Sequence, residues 1–258
     1  MTQDVTPTAD EAANPPGGAD VMLRVSHYAL LSGLCQFIPI PFADDYADQQ
    51  VRRQMVGTIL ERRGRSYKAS QVSPLYEGPP KFTVGRIGSL AKGLILKPVK
   101  KLLRTVFFVA TIRRALLEAA EVLLLGHTLD RKLAEGWLAE DQEPRRRKEG
   151  AAAIERAVAD VMASPERRGI VNLIKVSARL LRNIRGEPDA VDPPEVAVTL
   201  KEDEDVEQAL SPKQRERLRT ATNDLQNRLQ TKEGKSTLAR LDTMIDARLA
   251  PTAAVDAV

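Results

Sequence analysis

The residues with the strongest chemical bias in this chain are cationic, and they are concentrated in two stretches. Between Gly78 and Leu117 the sequence contains nine Lys or Arg residues and no Asp or Glu. The members predicted to contact a partner are Lys92, Lys97, Lys100, Lys101, Arg104, Arg113 and Arg114. A second acid-free group comprises Arg168, Lys175, Arg179 and Arg182. Surfaces that serve only solubility usually mix both signs, so these groups indicate an anionic partner.

Both basic groups fall on segments with helical periodicity. A helix is predicted from Pro98 to Leu125, with apolar side chains on one face, Lys and Arg on another, and Gly126 as its end. A helix over Pro165–Ile184, with Ser164 as its N-cap, repeats this arrangement. A cationic amphipathic helix suits an anionic membrane surface, which offers negative headgroups beside apolar chains. The sequence therefore predicts a site that binds a membrane or a partner.

A second cluster of chemically active side chains follows a proline corner. Pro39 and Pro41 predict an extended turn, because a proline disfavours helix in the residue before it. Asp44 and Asp45 come next and are predicted to cap a new helix, since negative charge stabilises a helix N-terminus. Asp48 adds a third carboxylate, but a metal site needs more ligands in a fixed geometry. The cluster is therefore interpreted as structural, with no metal.

Residues typical of catalysis are scarce. His27 and His127 are the only histidines, and the sequence places no base and nucleophile side by side. The single cysteine, Cys35, is predicted to be a small buried residue. Gly234-Lys235-Ser236 resembles the end of a phosphate-binding loop but lacks the required earlier glycine and preceding strand. The sequence thus favours a non-enzymatic protein without a cofactor, and leaves an enzyme with an unrecognised site as an alternative.

The elements that must position these residues are all predicted to be helices. The sequence divides into an acidic disordered tail at 1–20, a helical bundle domain at 21–185, a linker at 186–209, a helical hairpin at 210–250 and a tail at 251–258. The linker is predicted to be flexible because it contains prolines and an excess of acids.

The remaining helices follow from apolar spacing and from start and stop residues. They are Val21–Gln36, Asp44–Arg63 with Gly64 as its stop, Leu129–Glu140, Ala151–Ala163, and hairpin arms at Ser211–Gln230 and Ser236–Leu249. The first hairpin arm is predicted to start with a capping box formed by Ser211 and Gln214. Residues 65–88 are predicted to form a loop with a short strand at 82–84, and residues 141–150 a charged turn. In the second helix, Asp48 is spaced to pair with Arg52.

Residues 34–64 combine an apolar helix, a Pro-Ile-Pro corner, an acid and a second helix with central Gln and Met. The residues concerned are Pro39-Ile40-Pro41, Asp44, Gln50, Gln54, Met55 and Gly64. This order resembles the uncharacterised bacterial inner-membrane domain found fused to or beside small GTPases, and more distantly EcsC-like proteins. The resemblance implies a bacterial protein near a membrane or a GTPase, and it assigns no catalytic residue. Asp45, Asp48, Arg52 and Arg53 replace apolar residues usual in that family, which argues against bilayer spanning.

Membrane contact is therefore predicted to be peripheral. Val25–Ala43 is broken by prolines, and Leu102–Leu125 contains two arginines near its centre, which disfavours a span. A re-entrant or shallow insertion of Val25–Phe42 is left open. The predicted location is cytoplasmic, on the inner face of a membrane, with anionic lipid or a membrane-bound protein such as a GTPase as partner.

Two other partners follow from the same charges. Nucleic acid is an alternative ligand for the basic face, although aromatic residues for base stacking are few. The acidic run 201–207 is an internal alternative, because it would fold back on the basic helices and compete with the external partner.

Overall fold

The computed structural model describes the backbone of residues 18–35, 43–77, 97–181, 207 and 210–255. Side chains are described for residues 20–35, 47–77, 111–181, 207 and 210–250. Within these ranges the chain forms helices and no strand, which confirms the predicted all-α class.

Nine α-helices are described in these ranges. They are α1 Gly18–Cys35, α2 Ala43–Arg62, α3 Ala69–Val72, α4 Pro74–Glu77, α5 Lys97–Ala134, α6 Pro144–Ala163, α7 Arg168–Ala178, α8 Pro212–Gln230 and α9 Lys232–Val255. The two single-turn helices α3 and α4 lie in the segment predicted as a loop. Val72 and Leu75 on these turns are buried, so that segment contributes to the core. The predicted strand at 82–84 lies outside the described residues.

Helix α5 is the central element of the bundle. Leu123, Leu124 and Leu125 are consecutive and each is at most 1% exposed, so the helix is covered on all sides at this level. It packs against α1, α2, α6 and α7. A helix with a single apolar face could not bury three successive residues, since they point about 100° apart.

Gly126 does not end this helix, contrary to the prediction, because α5 continues without interruption to Ala134. The glycine is explained by packing. A Cβ atom at this position would lie 2.6 Å from a methyl carbon of Val25 and 2.8 Å from the sulfur of Met55. Gly126 therefore allows α1 and α2 to approach α5 closely. This close packing, and not helix termination, explains the glycine at this position.

True helix ends occur at two other glycines with left-handed backbone. Gly64 has φ +65° and Gly136 has φ +89°, a region that glycine adopts without steric cost. After α2 the amides of Gly64 and Arg65 donate to the carbonyls of Glu61 and Leu60 at 2.9 Å each. Equivalent bonds surround Gly136, which forms the same Schellman motif. The predicted stop at Gly64 is confirmed. The helix predicted over 129–140 is wrong, because residues 129–134 form the end of α5 and residues 135–140 are not helical.

Helices α6 and α7 begin differently from the prediction. Helix α6 starts at Pro144, so the segment predicted as a charged turn is mostly helical. Ser164 is not a side-chain N-cap, because its hydroxyl donates to the carbonyl of Val161 at 2.7 Å and closes α6. A 3₁₀ turn, Pro165–Arg167, leads into α7.

The C-terminal hairpin is present as α8 and α9. Ser211 and Gln214 form the predicted capping box, with hydrogen bonds of 2.8 and 3.3 Å between side chains and backbone amides. Leu225 and Ile245 are fully buried and belong to the same hydrophobic core as α1, α5, α6 and α7. The hairpin therefore packs against the bundle and completes its hydrophobic core.

None of the helices in the described ranges combines the length and apolar character needed to cross a membrane. The described part of the stretch 25–42 lies in the protein core, where Val25, Leu30 and Leu31 are at most 2% exposed. Residues 36–42 lie outside the described residues.

Candidate functional site

The first predicted basic group is only partly described. Arg113 and Arg114 are exposed on α5. Lys97, Lys100, Lys101 and Arg104 lie in the first turns of the same helix, and their side chains are outside the described set. Lys92 also lies outside the described residues. The backbone therefore places six of the seven predicted residues on one continuous helix.

The second group lies on a single helical stripe. Arg168, Lys175 and Arg179 are all exposed, together with Asn172. Their spacing of four, three and four residues aligns them along one face of α7 and the turn after it. No salt bridge to a described residue neutralises these three cations, so the stripe carries three positive charges. Arg182, the fourth predicted member, lies outside the described residues.

The apolar face of α7 is buried in the core. Ile170 and Ile174 are 0% exposed and Leu173 is 9% exposed. Insertion of this face into lipid would require the bundle to open. Leu180 is the only large hydrophobic residue described as exposed, and it lies next to Arg179. Helix α7 can therefore offer charge, with one leucine, to a partner.

The proline corner and its acids are described only from Ala43 onward. Pro39 and Pro41 lie outside the described residues. Helix α2 begins at Ala43, so Asp44 and Asp45 both lie in its first turn and Asp44 is not the predicted N-cap. Asp48 lies one turn further along α2 and is buried.

Asp48 belongs to a buried charge network centred on Arg52. The Arg52 side chain is 2% exposed, and its Nε lies 3.3 Å from the Asp48 carboxylate. Its Nη2 donates to Glu118 and, at 2.7 Å, to Glu121, both on α5. Ser32 of α1 donates a hydroxyl hydrogen bond to Asp48. One guanidinium thus joins α2 to α5, and Asp48 extends the connection to α1.

The charges in this network reinforce the ionised arginine. Burial by itself lowers the pKa of Arg52, but the carboxylates of Glu121, Glu118 and Asp48 outweigh burial and raise that pKa above its ordinary value. Glu155 of α6 lies on the edge of the network. Burial, and next the negative charge of Glu121, raise the pKa of the Glu155 carboxyl. The network therefore holds one fixed positive charge among an excess of carboxylates.

A second network links α5 to α9. Arg131 makes a bidentate pair with Asp246, with both distances 2.9 Å, and also pairs with Glu135 at 2.9 Å. Its Nε is 3.4 Å from Asp242 Oδ1, an ion pair without a hydrogen bond. Lys132 lies 2.7 Å from Asp246. The Arg131 hydrogen bond is the main cause that lowers the pKa of Asp246, so this carboxylate stays ionised in the folded chain.

A surface groove opens between α1 and α8. It has a volume of about 470 Å³ and is lined by His27, Glu207, Pro212, Arg215, Glu216 and Arg219. Glu207 lies 3.0 Å from Nε2 of His27. This is the described member of the acidic run 201–207, and its described partner lies on α1 instead of on either predicted basic helix.

Neither this groove nor the network around Arg52 was predicted from the sequence. The signal for the groove was present in Lys213–Arg219, which contains four basic residues and a single acid, Glu216. The Arg52 network had only the Asp48–Arg52 spacing as a signal. Its other members lie 66 and 69 positions away from Arg52 in the sequence.

The remaining candidates have structural environments. Cys35 is buried, as predicted. His127 is not at a helix end, because α5 continues past it, and its Nε2 lies 3.1 Å from Asp242. Among the described residues no three His, Cys, Asp or Glu side chains are arranged to hold a metal ion.

Comparison of the chain with protein families, with curated proteins and with solved structures finds no match.

Proposed function

We propose that this protein is a non-enzymatic helical protein that docks peripherally on an anionic membrane surface through the first part of α5. The observation that supports this proposal is a change in the polarity of α5 along its length. The stripe that faces α1 in the second part of the helix is basic in the first part, and apolar residues occupy the opposite side.

The contact with α1 fixes the orientation of α5. A Cβ atom at Gly33 would lie 3.3 Å from Cβ of Ala119 and 3.0 Å from the carbonyl oxygen of Ala115. Lys101 and Arg104 precede Ala115 by 14 and 11 residues, which places them on this same stripe of the helix.

The opposite stripe is apolar in the first part of α5. Val99 and Val106 precede Arg113 by 14 and 7 residues, so all three share one stripe. Arg113 is exposed, which identifies this stripe as the solvent side of α5 at that level. The helical register therefore places positions 99 and 106 on the face of α5 opposite to the α1 contact.

The backbone of α5 also extends beyond the level of the described end of α1. Val25 lies at Gly126 and Gly33 lies at Ala115, so α1 and α5 run antiparallel. The described end of α1, Cys35, is thus near the level of residue 113. Residues 97–110 continue past this level for about 20 Å, at 1.5 Å per residue.

A helix with apolar and cationic stripes matches the chemistry of a bilayer surface. Valine side chains can enter the boundary between headgroups and acyl chains, while the long Lys and Arg side chains of the other stripe extend toward anionic headgroups. Each basic residue near such a surface contributes about 1 kcal/mol of attraction. The inner face of a membrane is the location that this proposal implies, and the resemblance over 34–64 adds a membrane-bound GTPase as an alternative partner.

Vesicle co-sedimentation tests the proposal. The full chain is expected to bind vesicles containing phosphatidylglycerol and not vesicles of phosphatidylcholine alone. Arg113→Glu should weaken this binding roughly tenfold, because one attraction becomes a repulsion. Arg146→Glu is the matched control, since Arg146 is exposed at the start of α6 and has no described ion pair. Val106→Glu should weaken binding at least as much as Arg113→Glu.

Equal binding by Arg113→Glu, Arg146→Glu and the unmodified chain would contradict the proposal. Nucleic acid is the second candidate. It is supported by the α7 stripe, whose three cations have a single exposed leucine, Leu180, beside them. A duplex DNA mobility-shift assay distinguishes the two ligands. If the unmodified chain binds duplex DNA but not vesicles, and Lys175→Glu loses the DNA binding, the ligand is nucleic acid and the membrane proposal is wrong.

A further inference from the structure

The groove between α1 and α8 has a chemical character that is separate from the α5 surface. Four charged side chains and one histidine line it, and the wall formed by α8 carries Arg215 and Arg219. Both arginines are exposed, and neither pairs with a described acid. Arg215 and Arg219 therefore face the groove without an ion pair to a described residue, although the carboxylates of Glu207 and Glu216 also line it.

A carboxylate already occupies one position in this groove. Glu207 lies 3.0 Å from Nε2 of His27, and the two side chains are 35% and 23% exposed. The opening around them means that another carboxylate can reach the same ring nitrogen once Glu207 leaves. The groove thus contains an internal example of the group that it would bind.

The spacing of the two arginines specifies the kind of ligand. Arg215 and Arg219 are four residues apart, so they are neighbours on one face of α8 with a rise of about 6 Å between them. Alternate side chains of an extended peptide on one face repeat at about 6.6 Å. An extended segment with acidic residues at every second position therefore places successive carboxylates opposite the two guanidinium groups. Guanidinium groups bind carboxylates well because their planar donors match the two oxygens.

We propose that this groove is a docking site for an extended acidic peptide segment of a partner protein, and that Glu207 competes with that segment for His27. The proposal does not rest on membrane binding by α5, and its loss would leave that binding unchanged. An open, charged groove suits a peptide better than a small molecule, since small-molecule sites are usually enclosed and mostly apolar.

Fluorescence anisotropy with the full chain and a labelled Glu-Gly-Glu-Gly-Glu peptide tests the proposal. Arg215→Glu/Arg219→Glu should weaken peptide binding by roughly tenfold, because two attractive charges become repulsive. Glu207→Gln should strengthen binding several-fold by removing the competing charge. Arg146→Glu/Lys148→Glu is the matched control, since it makes the same charge change at two exposed residues near the start of α6 that have no described ion pair.

Three outcomes would overturn the proposal. They are no binding by either the unmodified chain or Glu207→Gln, unchanged affinity in Glu207→Gln, and equal losses in the Arg215/Arg219 variant and its control. The last outcome would show that the peptide is attracted by overall charge alone. Circular dichroism of each variant confirms that the exposed substitutions leave the helices intact.

Discussion

Two arginines are each surrounded by three carboxylates but differ in burial, and burial changes what such ion pairs contribute to stability. Arg52 is held by Asp48, Glu118 and Glu121 and is 2% exposed, whereas the Arg131 side chain is 23% exposed. Arg131 is held by Glu135, Asp242 and Asp246, and Lys132 shares this negative charge. If one member of a network is removed, water can solvate the charges that remain around Arg131 but not those around Arg52. The first network therefore makes the packing of α1, α2 and α5 specific, and the second fastens α9 to the outside of α5.

The largest expected effect comes from breaking the buried network. Arg52→Ala should lower the free energy of unfolding by about 3–5 kcal/mol, because it leaves carboxylates buried without their cation. Urea denaturation measures this loss. Arg53→Ala is the control, since Arg53 is adjacent and exposed, and its effect should stay within about 0.5 kcal/mol. A loss below about 1 kcal/mol for Arg52→Ala would mean that water enters the network.

The surface network should respond less. Arg131→Ala is expected to cost about 1 kcal/mol, and the cost should shrink at high salt because partly exposed charges are screened. The same urea titrations at low and high salt test this, with Arg52→Ala as the comparison. If Arg131→Ala destabilises as much as Arg52→Ala, exposure does not separate the two networks.

The smallest effect concerns the edge of the buried network. Burial, with the charge of Glu121, raises the pKa of Glu155, so the folded chain retains this proton to higher pH than the unfolded chain. Ionised Glu155 consequently lowers stability as pH rises above its ordinary pKa of 4.5. Glu155→Gln should therefore stabilise the protein by a few tenths of a kcal/mol at pH 7 and have no such benefit below the ordinary pKa.

Thermal unfolding at pH 7 and pH 4 checks this sign. Glu149→Gln on the same helix is the control, because Glu149 is 60% exposed and pairs with Arg145. Destabilisation by Glu155→Gln at pH 7 would show that Glu155 is a needed partner of Arg52 instead of an excess charge.

The sequence by itself determined the features that depend on a few neighbouring residues. The stop at Gly64 and the capping box at Ser211 satisfy backbone groups within one helical turn, so local patterns predicted both. The buried stripe of α2, which includes Val51 and Met55, follows from four-residue spacing. The basic stripe of α7 was predicted in the same way, since its members share one helix.

Only the tertiary structure decided the features that depend on distant contacts. Gly126 has the local character of a helix stop, but close packing with Val25 and Met55 explains it inside α5. The Asp48–Arg52 spacing gave no sign of burial, because Glu118 and Glu121 reach Arg52 from another helix. The groove beside Glu207 likewise needs α1 and α8 together. The sequence determines the charge of a side chain, whereas the fold determines the solvent exposure and the partners that set the electrostatic energy of that charge.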